Sequence, residues 1–290
     1  MQYFADLVIS GLAIGAIYGL IGMGYACIYK ATGVVNFAQG EVMMLITYVT
    51  ASLLTLTTWP FWMGLVLAPA VGILVGIVVE RVVIRPMIGR PSFAIVMVTI
   101  GLAVLMRSLI VLFWGSEPRE FPGRGSEDVI QILGIGLYPV QVLAFLIFIS
   151  AAAAAWAFLR YSRLGIAMRA TALSEQIAML MGVDVRRISG LSWAGAAALS
   201  GLAGVLFASA AYVGPDLFAV GLKAFPATIL GGLDAVTGSA FGGLLIGVTE
   251  NLVGGYVDSS LKEIAGFVVI IFILMLRPNG LFGDRDVERV

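Results

Sequence analysis

A short polar string at residues 36–41, N-F-A-Q-G-E, holds two amides and a carboxylate between two apolar stretches. Such groups can bind a polar solute, but beside hydrocarbon they cost free energy unless they face protein or water. We predict that Asn36, Gln39 and Glu41 line a solute path or its gate. The alternatives are structural: the two amides cap the helix that opens near Gly40, and Glu41 occupies its first turn, where the helix dipole stabilises negative charge.

Three further charged residues inside apolar stretches could have a function there. Asp234 lies in the glycine-rich string 231–238, where an aspartate commonly forms a turn, although it is also a candidate for the path. Glu250 either lines the path or lies at the membrane interface. Arg107 falls deep in its stretch, where an unpaired charge is costly. Its candidate partners are Glu41 and Glu250, and the alternative is that its side chain extends to the membrane surface.

Several kinds of chemistry are missing from the sequence. It has no histidine and one cysteine, Cys27, so it lacks the usual general base, an internal disulfide and Cys/His metal sites. The 17 basic and 17 acidic residues balance and give no sign of nucleic-acid binding. We therefore predict a chain that is not an enzyme and holds no cofactor or metal of its own.

The composition indicates that the bilayer is the solvent. Hydrophobic residues make up 60% and charged residues 12%, and the mean hydropathy is +1.04, whereas soluble domains have about 25% charged residues. A crossing helix needs about 20 residues. The apolar stretches are 7–29, 42–56, 61–84, 93–114, 137–159, 188–213, 224–253 and 264–276. Because no linker interrupts them, we predict one all-α transmembrane domain over residues 1–290, surrounded by membrane lipid.

Basic residues predict the orientation of this helical bundle. Twelve Lys and Arg residues lie outside the stretches or at their ends on one side and four on the other, which with Arg107 makes the 17 in the sequence. The positive-inside rule then places the N-terminus outside and the C-terminus in the cytoplasm. This requires an odd number of crossings. We predict seven, with 224–253 as a re-entrant hairpin that enters and leaves from the outer side; the alternative is a single kinked crossing.

Separated motifs of this sequence resemble the permease subunits of branched-chain amino-acid ABC importers. They cover nearly the whole chain and occur in the order of that family. In chain order they are G-L-x-x-G-x-I-Y-G-L-I at 11–21, V-V-N-F-A-Q-G-E at 34–41, R-A-T-A-L-S-E-Q-I-A-M-L-M-G-V at 169–183 and A-F-P-A-T-I-L-G-G-L at 224–233. The family often has histidine where Gln39 stands and cysteine where Thr171 stands, and the first departure leaves the solute open.

The resemblance implies a multi-pass subunit of an importer in the bacterial inner membrane. It would form half of the translocation pathway for branched-chain or related amino acids, beside a second homologous permease and an external substrate-binding protein. Two cytoplasmic ATP-binding subunits would hold ATP and Mg, which agrees with the lack of a G-x-x-x-x-G-K-[ST] phosphate loop in this sequence. The alternatives are another small polar solute, such as urea, a short amide or an aromatic acid, and a stand-alone channel or secondary carrier.

The resemblance also places the ATPase contact at 169–183, within the segment 160–187 that we predict to be cytoplasmic. We predict an amphipathic helix over 171–181, bounded by Gly182, with Glu175 early in the helix, where the dipole favours an acid. Ile177 and Leu180 share one face and would dock on the ATPase. The alternative is a helix that lies on lipid headgroups.

Overall fold

A computed structural model describes residues 2–123, 130–132, 135–173 and 175–283 of this chain. The helices before the large extramembrane loop are α1 (Gln2–Thr32), α2 (Gln39–Thr57), α3 (Phe61–Val79) and α4 (Ser92–Trp114). A π-helical turn (Glu80–Ile84) and a 3-10 turn (Arg85–Met87) extend α3. The later helices are α5 (Pro139–Tyr161), α6 (Arg163–Leu173), α7 (Glu175–Leu180), α8 (Val185–Ala210), α9 (Leu217–Gly231), α10 (Val236–Tyr256) and α11 (Lys262–Leu276), with a 3-10 turn (Ser259–Leu261) before α11.

The architecture confirms the prediction of a helical membrane bundle. One small addition was not predicted from the sequence: β1 (Ile130–Ile132) and β2 (Ile135–Leu137) form an antiparallel hairpin in the loop between α4 and α5. Its three residue pairs are too few to change the fold class.

Seven of the described helical segments are long and apolar enough to cross a membrane, as many as predicted. They are Gln2–Thr32, Gln39–Thr57, Phe61–Met87, Ser92–Trp114, Pro139–Tyr161, Val185–Ala210 and Val236–Tyr256. The set differs from the prediction by one member, since α10 qualifies with 21 residues and α11 has only 15. The sequence pattern missed this because the glycine-rich turn before α10 hides where that helix begins.

The broken stretch is two helices rather than one kinked crossing. Helices α9 and α10 are joined at residues 232–235, where Gly232 has a φ of +110° that favours glycine. The Nζ of Lys30 donates a hydrogen bond of 2.8 Å to the backbone oxygen of Asp234. The hairpin turn therefore lies at the end of the bundle where α1 ends, which we call the Lys30 end. The opposite end is the Tyr3 end, where the Tyr3 hydroxyl donates to the Gly255 carbonyl at 2.9 Å.

Close backbone contact between α1 and α10 holds the bundle centre together. A Cβ atom on Gly11 would stand 2.7 Å from the Cα of Val248, and one on Gly15 would stand 2.8 Å from the Cα of Leu244. Both distances are shorter than real Cβ atoms allow. Because lipid supplies no hydrophobic drive between helices, small residues that let backbones approach are what makes such packing favourable.

Helix α8 is the second organising element. It crosses α3 at Gly72, where an added Cβ would stand 2.8 Å from the Cα of Ala198. Its first residues lie at the Lys30 end, because Ile188 packs in one cluster with Ala31 of α1. The outer helices α4, α5 and α11 instead expose large apolar side chains, such as Leu112 and Phe272, as expected for surfaces that face hydrocarbon.

Candidate functional site

The motif 36–41 forms the break between α1 and α2. Asn36 precedes α2, and its side chain is almost fully buried. Its Oδ1 accepts a hydrogen bond of 3.0 Å from the backbone N–H of Ala38, and its Nδ2 donates to Oε1 of Gln39 at 2.8 Å. The bond from Ala38 to the Asn36 side chain is an Asx turn, in which a side-chain oxygen replaces a backbone acceptor. Asn36 therefore orders the turn that precedes α2, and these two bonds do not reach the backbone N–H groups of the helix itself.

Gln39 ties the first turn of α2 to α8. Its Nε2 donates to Oγ of Ser200 at 2.7 Å and to the carbonyl oxygen of Ala196 at 3.3 Å. A Cβ on Gly24 would stand 2.7 Å from that Nε2, so a glycine on α1 makes room for the amide. Gln39 is 1% exposed, and its bonds close the break against α8.

Glu41 is the partner of Arg107. The Nη2 of Arg107 donates to Oε1 of Glu41 in a very short ion pair that joins α4 to the first turn of α2. The guanidinium also lies over the ring of Phe218 on α9, 3.4 Å from its centroid, a cation–π contact. Of the partners weighed from the sequence, the structure therefore selects Glu41 and not Glu250.

One residue of the pair is buried and the other is partly exposed. Glu41 is 3% exposed, whereas the side chain of Arg107 is 41% exposed. Arg107 stands seven residues before Trp114, the last residue of α4, which corresponds to about 10 Å along the helix. A charge at such a position faces protein or a water-filled cavity rather than lipid. The exposed part of Arg107 is therefore a candidate for a surface that faces water or another protein.

Aromatic rings surround the neighbouring break. The rings of Tyr25 and Phe225 have centroids 5.5 Å apart, and those of Phe37 and Phe225 are 5.7 Å apart. The Tyr25 hydroxyl donates to the carbonyl oxygen of Gly221 at 3.4 Å. Helix α9 carries both Phe225 and Gly221, so it passes directly against the break. The site thus combines a charged pair with apolar aromatic walls.

Two predicted site residues lie elsewhere. The Tyr18 hydroxyl donates to Oε2 of Glu250 at 3.0 Å, so Glu250 lies between α1 and α10, and Gly266 of α11 adjoins it. Asp234 lies at the Lys30 end, beside a cavity of about 460 Å³ that Lys30 and Arg169 also line. Asp234 lies in the turn between α9 and α10, as its structural alternative predicts. Neither Asp234 nor Glu250 takes part in the Glu41–Arg107 ion pair.

The sequence did not predict some residues of the site. Phe218 and Ser200 carry no local signal, because their contacts are with residues more than 100 positions away. The ring contact of Tyr25 with Phe225 likewise has no local signal, because the two residues are 200 positions apart. Only the helix packing brings these side chains to the break.

The predicted amphipathic helix has different bounds in the structure. Helix α6 begins before it at Arg163 and ends at Leu173, and α7 runs from Glu175 to Leu180. Ser174 lies outside the described residues. Gly182 ends the segment as predicted: its φ is +83°, its N–H donates to the Met179 carbonyl, and the N–H of Val183 donates to the Ala178 carbonyl. This pair of bonds is a Schellman cap.

The segment exposes apolar side chains beyond the candidate membrane helices. The exposed fractions are 90% for Leu173, 63% for Ile177, 86% for Leu180 and 80% for Met181. Ala178 is instead buried against the bundle. We call these four exposed side chains the apolar ridge. Exposed apolar side chains beyond the membrane helices make this segment a candidate for an interaction surface.

Comparisons with known proteins identify the family. The model of the family described as "Branched-chain amino acid transport system / permease component" matches residues 7–276. The high-affinity branched-chain amino acid transport system permease protein LivH of Salmonella typhimurium is 31% identical over 99% of this chain and 98% of the relative. The protein of the same description named BraD, from Pseudomonas aeruginosa, is 30% identical over 100% and 99%.

A more distant relative carries a different description. The ribose import permease protein RbsC of Haemophilus influenzae is 22% identical over 96% of this chain and 87% of the relative. No solved structure matches the chain. The family model and the two full-length relatives confirm the resemblance that the motifs indicated. The chain is therefore a multi-pass membrane protein that belongs to the family of branched-chain amino acid transport system permease components.

Proposed function

We propose that this permease forms half of the translocation pathway of an ATP-driven importer for branched-chain or related amino acids in the bacterial inner membrane. The observation that carries the pathway is the Glu41–Arg107 pair, which holds two opposite charges within the membrane bundle and leaves Arg107 partly open. The full-length relatives are named for branched-chain amino acid transport, which supports this solute class.

The chemistry of the pair suits an α-amino acid. Such a solute carries a carboxylate and an ammonium group. A guanidinium presents several N–H donors in one plane and pairs well with a carboxylate, and a carboxylate pairs with an ammonium group. The rings of Phe218, Phe37 and Phe225 give an apolar surface for a branched side chain. In this conformation the Gln39–Ser200 bond closes the adjoining break, so transport requires α2 and α8 to separate there.

The partners follow from what this chain lacks and what it exposes. The sequence has no phosphate-binding loop, so two ATP-binding subunits hold ATP and Mg. The apolar ridge is the surface on which we expect them to dock, since motion is passed on through packed contacts. A second permease completes the pathway, and an external substrate-binding protein delivers the solute.

Co-purification tests this proposal. The chain is expressed with its partner subunits, isolated in mild detergent, and its ATP hydrolysis is measured with the binding protein loaded with leucine, isoleucine or valine. We expect ATP hydrolysis to rise with these ligands. Because RbsC is named for the import of ribose, control arms use ribose, urea and aromatic acids. Stimulation by one of those alone assigns another solute, and isolation of the chain without ATP-binding subunits contradicts the proposal.

A further inference from the structure

A second and larger cleft, of about 650 Å³, lies between α3, α5 and α8. Its walls along most of its length are apolar or small side chains, including Ile73 and Ile77 of α3, Phe158 of α5 and Leu199 and Leu202 of α8. Neither residue of the Glu41–Arg107 pair lines it. We call it the α3–α5–α8 cleft.

Arginines gather at one end of this cleft. Arg81 and Arg85 follow α3, and Arg186 and Arg187 open α8, and all four line the cleft. They line the same end because α3 ends where α8 begins, at the Lys30 end of the bundle. Glu80 also lines the cleft and accepts hydrogen bonds from Arg85 at 3.0 and 3.3 Å. Four arginines against one glutamate leave three positive charges at this mouth.

The length and the polarity of the cleft match those of a phospholipid. From Arg186 to Leu202, α8 advances 16 residues, or about 24 Å, so the apolar slot runs along the helix axis over much of the hydrocarbon thickness. A charged mouth with a long apolar slot behind it matches a headgroup followed by an acyl chain. We propose that the α3–α5–α8 cleft binds an anionic phospholipid, with its phosphate at Arg81, Arg186 and Arg187 and an acyl chain in the slot.

The surroundings favour a lipid over a soluble anion. Ile73, Ile77, Phe158 and Leu191 are each more than 40% exposed, so the slot opens sideways onto apolar surface that faces hydrocarbon in the membrane. A free phosphate would use only the arginines and leave this apolar slot unfilled. The positive mouth selects an anionic headgroup over a zwitterionic one, because basic residues near a membrane attract anionic lipids.

One glycine allows the slot to be filled without disturbing the bundle. Gly195 of α8 lines the cleft, and a Cβ built on it meets nothing within 4 Å. A phenylalanine at this position would occupy the slot and leave the arginines in place. Gly101 of α4 is the matched control, because it is also a helical glycine whose added Cβ meets nothing within 4 Å, and it does not line the cleft.

The test titrates the purified importer complex with lipids and counts bound lipid by native mass spectrometry. The probes are phosphatidylglycerol, phosphatidylcholine and soluble glycerol 3-phosphate. The unaltered complex and Gly101→Phe should bind phosphatidylglycerol about tenfold or more tightly than phosphatidylcholine. Gly195→Phe should lose both lipids, and glycerol 3-phosphate should not compete.

A second variant keeps the test independent of any folding defect of Gly195→Phe. Changing the exposed arginines together, Arg81→Gln with Arg186→Gln and Arg187→Gln, should abolish the preference for phosphatidylglycerol while weak lipid binding persists. The proposal is overturned if this triple variant keeps the preference or if glycerol 3-phosphate competes as well as the lipid. It is also overturned if Gly195→Phe retains the lipid, or if it releases the second permease instead, since the cleft would then be a protein interface.

Discussion

The guanidinium of Arg107 on α4 donates to the carboxylate of Glu41 in the first turn of α2, within a bundle built for the membrane. The pair joins two helices that are far apart in the sequence, and Phe218 of α9 covers one face of the guanidinium. A charge at this depth needs a partner. Each charge thus stabilises the other, and the pair lies beside the α1–α2 break, where we propose the pathway.

Breaking the pair from either side should impair transport. Glu41→Gln leaves Arg107 without its counter-charge, and Arg107→Gln leaves the buried Glu41 unpaired, so we expect each to lower uptake about tenfold or more. Because the two residues act as a unit, Glu41→Gln combined with Arg107→Gln should lose less than the two single effects together. Uptake into proteoliposomes measures this coupling, and strictly additive losses would argue against a working pair.

Gln39 should matter through its bonds to α8. Gln39→Leu removes the donor to Ser200 and the acceptor for Asn36, and an unpaired buried polar group costs about 1–3 kcal/mol. We expect lower uptake and a lower melting temperature, with assembly and ATP binding by the partners intact. Ser200→Ala is the milder control, since it removes one bond only. Unchanged uptake in Gln39→Leu would give the amide a purely structural role.

The apolar ridge should carry the contact with the ATP-binding subunits. Leu180→Asp places a carboxylate where an apolar side chain is expected to be buried by the partner, which costs several kcal/mol if it stays unpaired, on the order of 3 or more. The subunits should dissociate, or hydrolyse ATP without transport. Leu180→Met keeps the apolar contact and should behave normally. Full occupancy with normal stimulated hydrolysis in Leu180→Asp would instead favour a segment that rests on lipid headgroups.

The predicted orientation can be tested at the two ends of the bundle. Asp258, at the Tyr3 end, and Asp184, before α8 at the Lys30 end, are both exposed. With Cys27→Ser as background, we expect an impermeant thiol reagent added to intact cells to label Asp258→Cys and to leave Asp184→Cys unlabelled until the cells are opened. The reverse pattern would invert the assignment that the basic residues suggest.

The sequence predicted the helical class, the break at 36–41 and the Gly182 stop, because hydrophobic length, polar interruption and glycine are local signals. It left open the partner of Arg107, since two glutamates were equally compatible with the pattern. It also misplaced the bounds of the amphipathic helix, because the helix-forming residues of α6 continue back to Arg163. The Phe218 and Ser200 contacts depend on helix packing over long sequence distances, which no local pattern specifies.

Uptake by the reconstituted importer tests the central claim most directly. Proteoliposomes would contain this chain, its companion permease and the ATP-binding subunits, with labelled leucine and the binding protein on the side that the N-terminus is expected to face. We predict leucine accumulation against a gradient that requires ATP and Mg and falls about tenfold or more in Glu41→Gln. Leucine flux through this chain alone, without ATP or the ATP-binding subunits, would contradict the account.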